Sequence, residues 1–513
     1  TKKASAKKAV AKAKVETKKA TKAVKKEVKE AKKAVRKEVK DKMVNDTYCK
    51  FITQQLPRTE EEYKLLKSVF QGGSCGGNYL YSGRVLSGVG SDDEQSAYPC
   101  QMVSQKYPMT RFVYCSPFDV KKANFENWAF IIMLEFTNIS SRTCLHYYSR
   151  HKAVAIKNGK FDNGKLIEAS SLYCILTEQD LLIFEKCYQW EQIKIIKSYK
   201  AKKQYLPKEY IQIVLKRYGY KTTLKGIEDK KEIYAQSKQF INSCYGMMVT
   251  DLVQNSVTFN GQEWKQEEGN TQERLNKLQR YRKKNFLSYS WGCWVTAYNR
   301  ARLWLGGDWD EAGRPLGMLA TPEKVVYYDT DSRKTFRDEE IVQILAEENR
   351  QNENRLKAMC KHYKIPFSKC APKDPKGKKR MIGNWDFEGM YDNDGFIELG
   401  AKRYATKHDG QIEITVSGVP KVCADMITDL HQFKDGFYFD ANHKNKETGL
   451  YDGKMLSIYC DGDNLQTTLN AGRYDEYQTT NKNSIVLRNN GYKLGLTSEY
   501  KMLILEGRER GFL

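Results

Sequence analysis

The segment VVYYDTDS, residues 325–332, constrains the fold more than any other stretch of the chain. Its first four residues are strand formers without charge, so they predict a buried β-strand. Asp329 and Asp331 follow, and because side chains alternate along a hairpin they can face the same way. Two carboxylates a few ångströms apart are costly to keep ionised without a cation. The segment therefore predicts either a solvated polar turn or a tip that holds a divalent metal.

The charge of the chain predicts a polyanionic partner. The 513 residues carry a net charge of +24, and residues 1–42 hold 18 basic residues against five acidic ones. The remainder stays basic, so the excess is not confined to one tail. A basic surface of this kind favours binding to nucleic acid, although a surface tuned only for solubility is the alternative.

The cysteine pattern and the hydropathy predict a reduced, cytoplasmic protein. The 13 cysteines are scattered and contain no C-x-x-C pair, so neither a zinc ribbon nor a redox pair is expected. No run of about 18 apolar residues is present, and the beginning of the chain lacks the apolar stretch of a secretory signal. We therefore predict no association with a membrane. Helical and strand patterns are segregated rather than alternating, which predicts an α+β (mixed) fold.

A second acidic cluster lies in GSDDEQSAYPCQM, residues 90–102. It places Asp92, Asp93 and Glu94 directly before Tyr98 and an apolar segment. If one of these acids meets the tip at Asp331, the two can bridge a pair of metals, as in phosphoryl transfer. The alternative is an acidic turn at the surface.

A predicted helix supplies positive charge. In KQFINSCYG, Lys238, Asn242 and Tyr245 are spaced i, i+4 and i+7, so they share one face. A cation, an amide and an aromatic ring on one face suit a triphosphate and a base or sugar, although an ordinary amphipathic helix has the same spacing. Lys221 and Lys225 are expected in the loop that precedes this helix.

These three segments resemble the sequence motifs of family B DNA polymerases. DEQSAYP resembles D-x-x-S-L-Y-P, with Ala97 in place of Leu; KQFINSCYG resembles K-x-x-x-N-S-x-Y-G; and YYDTDS resembles Y-x-D-T-D-S. KRY, residues 402–404, is similar to the K-x-Y motif, and FQGG, residues 70–73, to Y-x-G-G. WGCWVTAYNRAR resembles the helix that precedes the third motif. The order and spacing are similar to those of the protein-primed branch, over about residues 50–435.

The resemblance implies a role for each matching residue. Asp93 and Asp331 correspond to ligands of two Mg²⁺ ions, for which Mn²⁺ can substitute, and Asp329 to a further catalytic acid of the tip. The remaining correspondences are Tyr98 as the gate against ribonucleotides, Lys238 and Lys221 as triphosphate ligands, Asn242 and Tyr245 as the lining of the nucleotide pocket, Lys402 and Tyr404 as contacts to the primer terminus, and Phe70, Gly72 and Gly73 as contacts to the template.

The resemblance also implies a right-hand architecture of palm, fingers and thumb with two insertions. The predicted divisions are a Lys/Ala-rich basic tail or linker (1–45), the N-terminal part of the palm (46–150), a first insertion (151–206), the fingers (207–246), a second insertion with a hairpin at Asn260-Gly261 (247–286), the remaining palm (287–420), and the thumb with a C-terminal extension (421–513). The implied partners are template-primer DNA, deoxynucleotides and a terminal priming protein in phage or plasmid replication with strand displacement.

One departure and two alternatives accompany this resemblance. Only 92 residues precede Asp93, so no 3′-5′ exonuclease domain is expected in this chain. The explanations are that the chain is a fragment, that the exonuclease is a separate polypeptide, or that it was lost. The first alternative is a metal-dependent glycosyltransferase, which also uses a D-x-D tip but does not need the basic helix. The second is a catalytically inactive DNA-binding remnant.

Overall fold

The computed structural model describes residue 37 and residues 46–121, 124–251, 256–259, 264–267, 270–280, 287–307, 316–440, 456–459, 486–489 and 491–509. The predicted basic tail, residues 1–45, therefore lies outside the described residues except at position 37. The fold mixes helices and sheets, as the sequence predicts. In the described part of the chain, no helix is long and apolar enough to cross a membrane.

The helices are distributed along the whole described chain. They are α1 (Asp46–Gln55), α2 (Glu60–Val69), α3 (Ala97–Ser104), α4 (Pro117–Lys121), α5 (Glu178–Cys187), α6 (Lys208–Thr223), α7 (Lys231–Met248), α8 (Thr271–Arg280), α9 (Tyr289–Leu305), α10 (Glu339–Tyr363) and α11 (Ser498–Glu509). Short 3-10 helices, such as the one at Phe367–Cys370, connect some of these elements.

The strands are, in chain order, β1 (Cys75–Gly77), β2 (Val89–Glu94), β3 (Lys106–Pro108), β4 (Val113–Cys115), β5 (Trp128–Ser141), β6 (Ala155–Lys157), β7 (Lys160–Asp162), β8 (Lys165–Thr177), β9 (Tyr188–Gln189), β10 (Gln192–Tyr205), β11 (Ser256–Phe259), β12 (Trp264–Glu267), β13 (Val325–Asp329), β14 (Ser332–Phe336), β15 (Trp385–Met390), β16 (Phe396–Glu398), β17 (Arg403–His408), β18 (Gln411–Val416), β19 (Tyr438–Phe439), β20 (Leu456–Tyr459), β21 (Val486–Asn489) and β22 (Tyr492–Lys493).

The first sheet joins the two acidic segments. Its five antiparallel strands have the order β1-β13-β14-β2-β15. β13 and β14 form the hairpin predicted from VVYYDTDS, with Asp329 opposite Ser332 and with Thr330 and Asp331 at the turn. On the other side of the hairpin, β2 pairs with β14 and places Asp93 opposite Ser332. Segments far apart in the sequence therefore lie side by side.

The second sheet has eight strands and runs from residue 106 to residue 205. Its main path is β3-β10-β5-β8-β6, with β4, β7 and β9 paired to β10, β8 and β5. β5 pairs with both β8 and β10 along most of its length. The sheet therefore crosses the boundary predicted between residues 150 and 151, because the pairing of these long strands cannot be divided at that point.

Helix α9 forms the core between the sheets. All of its residues except Leu305 are buried, as expected of an internal helix. The indole N–H groups of Trp291, Trp294 and Trp304 all find acceptors, at 3.0, 2.8 and 3.0 Å. Such pairing removes the cost of burying the polar atom of a large aromatic side chain.

The remaining strands form smaller sheets. β16, β17 and β18 make a three-stranded sheet, which brings residues 402–404 beside the first sheet. β11 and β12 pair as the predicted hairpin, with Phe259 opposite Trp264. The turn predicted at Asn260-Gly261 lies outside the described residues.

A buried ionic network fastens α10 to the first sheet. The Glu348 side chain is 0% exposed and accepts hydrogen bonds from both terminal nitrogens of Arg333, at 2.9 and 3.1 Å. It also accepts from the indole N–H of Trp385 at 2.7 Å and from the backbone N–H of Gly317 at 3.0 Å. The two carboxylate oxygens thus have four donors, which offsets the cost of removing the charges from water.

This network predicts a large and local stability effect. Glu348→Ala leaves Arg333 buried without its carboxylate, and we expect the free energy of unfolding to fall by about 3–5 kcal/mol. Glu353→Ala on the same helix breaks only a surface pair with Lys357 and should cost less than about 0.5 kcal/mol. Urea denaturation of both variants measures the difference, and equal losses would contradict the role given to Glu348.

Candidate active site

The alternation of side chains along β2 determines which of its three acids faces the tip of the β13–β14 hairpin. Asp92 and Glu94 point into the core, where they are 1% and 2% exposed, and Asp92 accepts a hydrogen bond from Arg337. Asp93 projects from the opposite face and is half-buried. The Glu94 N–H donates to the Asp331 carbonyl at 2.7 Å, so the tip lies directly beside Asp93.

The two half-buried acids, Asp93 and Asp331, disfavour each other's ionisation. Burial raises the pKa of Asp93 to about 7, and the nearby carboxylates of Asp331 and Glu388 add to this shift. Burial also raises the pKa of Asp331, with a further contribution from Asp329. Such pairs are relieved by a cation placed between them.

The K-x-Y segment lies against the same tip. Lys402 forms an ion pair with Asp329, and its backbone N–H donates to the hydroxyl of Tyr327 at 3.0 Å. The ring of Tyr404 lies 4.7 Å from that of Tyr327, measured between centroids. Asp329 is therefore neutralised by a lysine, in contrast to the Asp93–Asp331 pair.

Glu398 is buried beneath the K-x-Y turn. It is 0% exposed and accepts a hydrogen bond from the N–H of Gly400, while its Oε1 has no partner among the described residues. Burial raises the pKa of Glu398 to about 8, against the opposing effect of the Gly400 N–H. Glu398 is therefore expected to be neutral at pH 7.

The glycine pair of FQGG approaches the tip closely. A Cβ on Gly73 would clash with Thr330 Oγ1 and would lie 2.8 Å from Thr330 Cγ2 and 2.9 Å from the Tyr98 hydroxyl. A Cβ on Gly72 would meet nothing within 4 Å. Phe70 packs on Tyr289, with 5.9 Å between ring centroids. Glycine is thus required at position 73, between the acidic tip and Tyr98.

Two tyrosines line the space above the acids. Tyr98, in the first turn of α3, and Tyr245 on α7 have ring centroids 4.5 Å apart. Burial raises the pKa of Tyr98 to about 12, so its hydroxyl stays protonated. The pair forms an aromatic wall beside Asp93 and Asp331.

A lysine cluster faces the acids from the helices. Lys238 and Asn242 lie on the exposed face of α7, while Phe240 and Ile241 are buried on the other. The prediction that Lys221 lies in a loop is wrong, because α6 continues to Thr223 and carries Lys221 in its last turn.

The position of Lys221 connects the cluster to the acidic pair. Its ammonium donates to Ser96 Oγ at 2.7 Å, two residues before Tyr98. Burial lowers the pKa of Lys221, and the positive charges of Lys238 and Lys225 lower it further, while Asp93 opposes them. Lysines this close together favour an anionic ligand with several charges.

Arg300 on α9 is a residue whose role the sequence pattern did not reveal. Its guanidinium donates to the carbonyls of Gln71 and Gly72 at 2.8 and 2.9 Å and pairs with Asp180 at 2.8 Å. Neighbouring Asn299 donates to the carbonyl of Thr330 at 2.7 Å. One helix thus holds both the FQGG loop and the tip. Two arginines within a strongly aromatic segment were the available signal.

The acidic residues of the site suit a metal ion that is also bound by a second ligand. Among the residues that the structure describes, no three His, Cys, Asp or Glu side chains are grouped so that they could hold an ion. Asp93 and Asp331 supply two carboxylates, and Mg²⁺ characteristically takes one or two carboxylates together with phosphate oxygens and water. The pair therefore suits Mg²⁺ bound to a nucleotide rather than a closed structural site.

A separate cavity of about 800 Å³ lies between α11 and the segment that contains β6 and β7. Its lining includes the ion pair of Lys160 and Glu506, and it contains none of the predicted site residues.

The fold is similar to that of solved DNA polymerases, although no protein-family model and no curated protein matches the sequence. Phi29 DNA polymerase complexed with primer-template DNA and incoming nucleotide substrates matches with a TM-score of 0.57 and 15% identity, over 90% of this chain and 67% of that chain. Its binary complex with primer-template DNA gives 0.55 and 16%, and its complex with single-stranded DNA 0.54 and 15%, over the same shares. At this identity the likeness concerns the fold.

The close approach at Gly73 predicts a position-specific effect. Gly73→Ala forces Thr330 or Tyr98 to move, and overpacking of this kind costs about 1–3 kcal/mol of unfolding free energy. The matched change Gly72→Ala meets open space and should have little effect. Thermal denaturation compares the two variants; a Gly73→Ala protein as stable as Gly72→Ala would contradict the packing described.

Glu398 predicts a pH-dependent stability. Because its pKa is raised in the folded state, the folded protein holds a proton that the unfolded chain releases above about pH 4.3. The stability from this proton is lost as the pH rises through about 8. Relative to Glu398→Gln, the wild type should lose unfolding free energy between about pH 5 and about pH 9. Urea denaturation at both values tests this, and a constant difference would contradict it.

Proposed function

We propose that this chain is a DNA-directed DNA polymerase with the right-hand architecture of the protein-primed family B enzymes. The observation that carries the proposal is the convergence of Asp93 and Asp331 from two strands between the lysines of α6 and α7 and the K-x-Y segment. The similarity to solved DNA polymerases supports it. A glycosyltransferase would account for the D-x-D tip but not for the acid on β2 or the facing lysines.

Asp93 and Asp331 would hold Mg²⁺, for which Mn²⁺ can substitute. The bound ions would lower the pKa of the primer 3′-hydroxyl and stabilise charge on the leaving pyrophosphate. The two carboxylates fix where the reacting phosphate lies, and Asp329, held by Lys402, keeps the tip in place. In such reactions the protein acts mainly by positioning groups and stabilising charge.

The nucleotide would bind between the lysines and the aromatic wall. Lys221 and Lys238 would bind the triphosphate as point charges, while Asn242 and Tyr245 line the sugar and base. Tyr98 packs against Tyr245 and lies next to Gly73, so its ring cannot retreat to admit a 2′-hydroxyl. This confinement is the physical basis for proposing Tyr98 as the gate against ribonucleotides.

The DNA would lie along the other side of the tip. Lys402 and Tyr404 would hold the primer terminus, and Phe70, Gly72 and Gly73 would contact the template. Arg300 acts as a positioning residue here, because it fixes the carbonyl of Gly72 without facing the DNA itself. The neighbouring solved structures contain primer-template DNA and nucleotides, which supports these partners for the present chain.

Protein priming and strand displacement form part of this proposal. The order and spacing of the motifs support them, and the second sheet, between the motif segments of β2 and α7, supplies a large surface for a priming protein. The hairpin of β11 and β12 follows α7, at the position of the second insertion that the resemblance implies.

Primer extension tests the proposed activity. With Mg²⁺ and deoxynucleotides on singly primed DNA, we expect extension by the wild type and a loss of at least about a hundredfold in Asp331→Asn. Asp409→Asn, at an exposed turn outside the site, is the matched control and should extend normally. A folded wild type that extends no primer, including a protein primer, would overturn the proposal.

A further inference from the structure

The acids of the first sheet differ in how their charge is balanced. Asp92 is paired with Arg337 and Asp329 with Lys402, so each of these carboxylates has its own cation. The Asp93–Asp331 pair has no ion pair of this kind among the described residues. One further cation, Lys334, lies on β14 within the same sheet, outside the segments that resemble polymerase motifs.

Lys334 is held on the face that carries Asp93. In the register of β14 and β2, Lys334 lies opposite Ser91 just as Ser332 lies opposite Asp93, and residues two apart on a strand share a face. Its ammonium donates to Ser91 Oγ at 2.6 Å and lies 4.0 Å from Glu388 Oε2. The Lys334 side chain therefore lies on the same face of the sheet as Asp93, beside the Asp93–Asp331 pair.

The surroundings of Lys334 keep its charge fixed in place. The residue is 5% exposed, so its ammonium cannot move out into solvent. Burial lowers the pKa of Lys334, while the carboxylates of Glu388 and Asp93 oppose that effect. Ser91 holds the arrangement together, since its hydroxyl also donates to Glu388 at 2.8 Å. A buried lysine is costly to retain, which makes its position beside the acids informative.

We propose that Lys334 is a positioning residue whose buried charge sets how tightly the Asp93–Asp331 pair holds a divalent cation. This inference rests on the proposed function of the pair. The ammonium repels a free ion, whereas an ion accompanied by a triphosphate carries little net positive charge and is repelled far less. The site therefore stays weakly occupied until the nucleotide brings its metal.

Binding of Mn²⁺ to the full chain without DNA or nucleotide tests the inference. Free Mn²⁺ is measured by electron paramagnetic resonance at about pH 8, where ordinary carboxylates are ionised, and Asp93→Asn identifies the ions bound at the pair. Lys334→Met removes the charge and should tighten this binding by at least about fivefold. Lys334→Arg keeps the charge and should retain the wild-type affinity.

Two further variants serve as the replacement and the control for Lys334→Met. Lys334→Gln keeps a donor for Ser91 and replaces Lys334→Met if the latter does not fold. Lys357→Met removes an exposed lysine on α10 and should leave Mn²⁺ affinity unchanged. Folding of each variant is verified by circular dichroism.

The outcomes separate this inference from the proposed function. If the neutral variants at position 334 bind Mn²⁺ with wild-type or weaker affinity while the wild type extends primers, only the role of Lys334 is overturned. If the wild type shows neither Mn²⁺ binding that depends on Asp93 nor primer extension, both proposals are overturned.

Discussion

The site depends on the register in which β14 pairs with β2. Ser332 lies opposite Asp93, and this pairing places Asp93 beside the turn that carries Asp331. A slip by one residue would turn Asp93 into the core and expose its two acidic neighbours instead. The ion pair of Asp92 with Arg337 and the hydrogen bond from Glu94 to the tip both resist that slip. The buried acids of β2 therefore determine which acid is available for chemistry.

Helix α5, which follows β8 of the second sheet, contributes to the site through a buried charge. Asp180, at the start of α5, pairs with Arg300, and Arg300 holds the carbonyls of the FQGG loop against the tip. The loop in turn fits between Thr330 and Tyr98 only because position 73 lacks a side chain. A chain of fixed contacts thus runs from α5 to the aromatic wall. Loss of any one of these contacts should make the tip less rigid, although its acidic residues are unchanged.

Local patterns predicted the elements of the site, and tertiary pairing accounts for the rest. The strand with an acidic tip and the face of α7 with Lys238 and Asn242 follow from residue patterns within short segments. The pairing of β5 with β8 and β10, and the network around Glu348, join residues that are distant in sequence. No local pattern encodes these contacts, which is why the continuity of the second sheet across residues 150 and 151 and the role of Arg300 were not foreseen.

The central claim is that Asp93 and Asp331 together form the metal site of a nucleotide-binding cleft. Crystals grown with primer-template DNA, Mn²⁺ and a nucleotide that cannot react would test it most directly by anomalous diffraction at the manganese edge. The account predicts anomalous density between the Asp93 and Asp331 carboxylates, next to the triphosphate and within reach of Lys221 or Lys238. Density at other acids of the sheet, or a triphosphate bound away from the lysines, would contradict it.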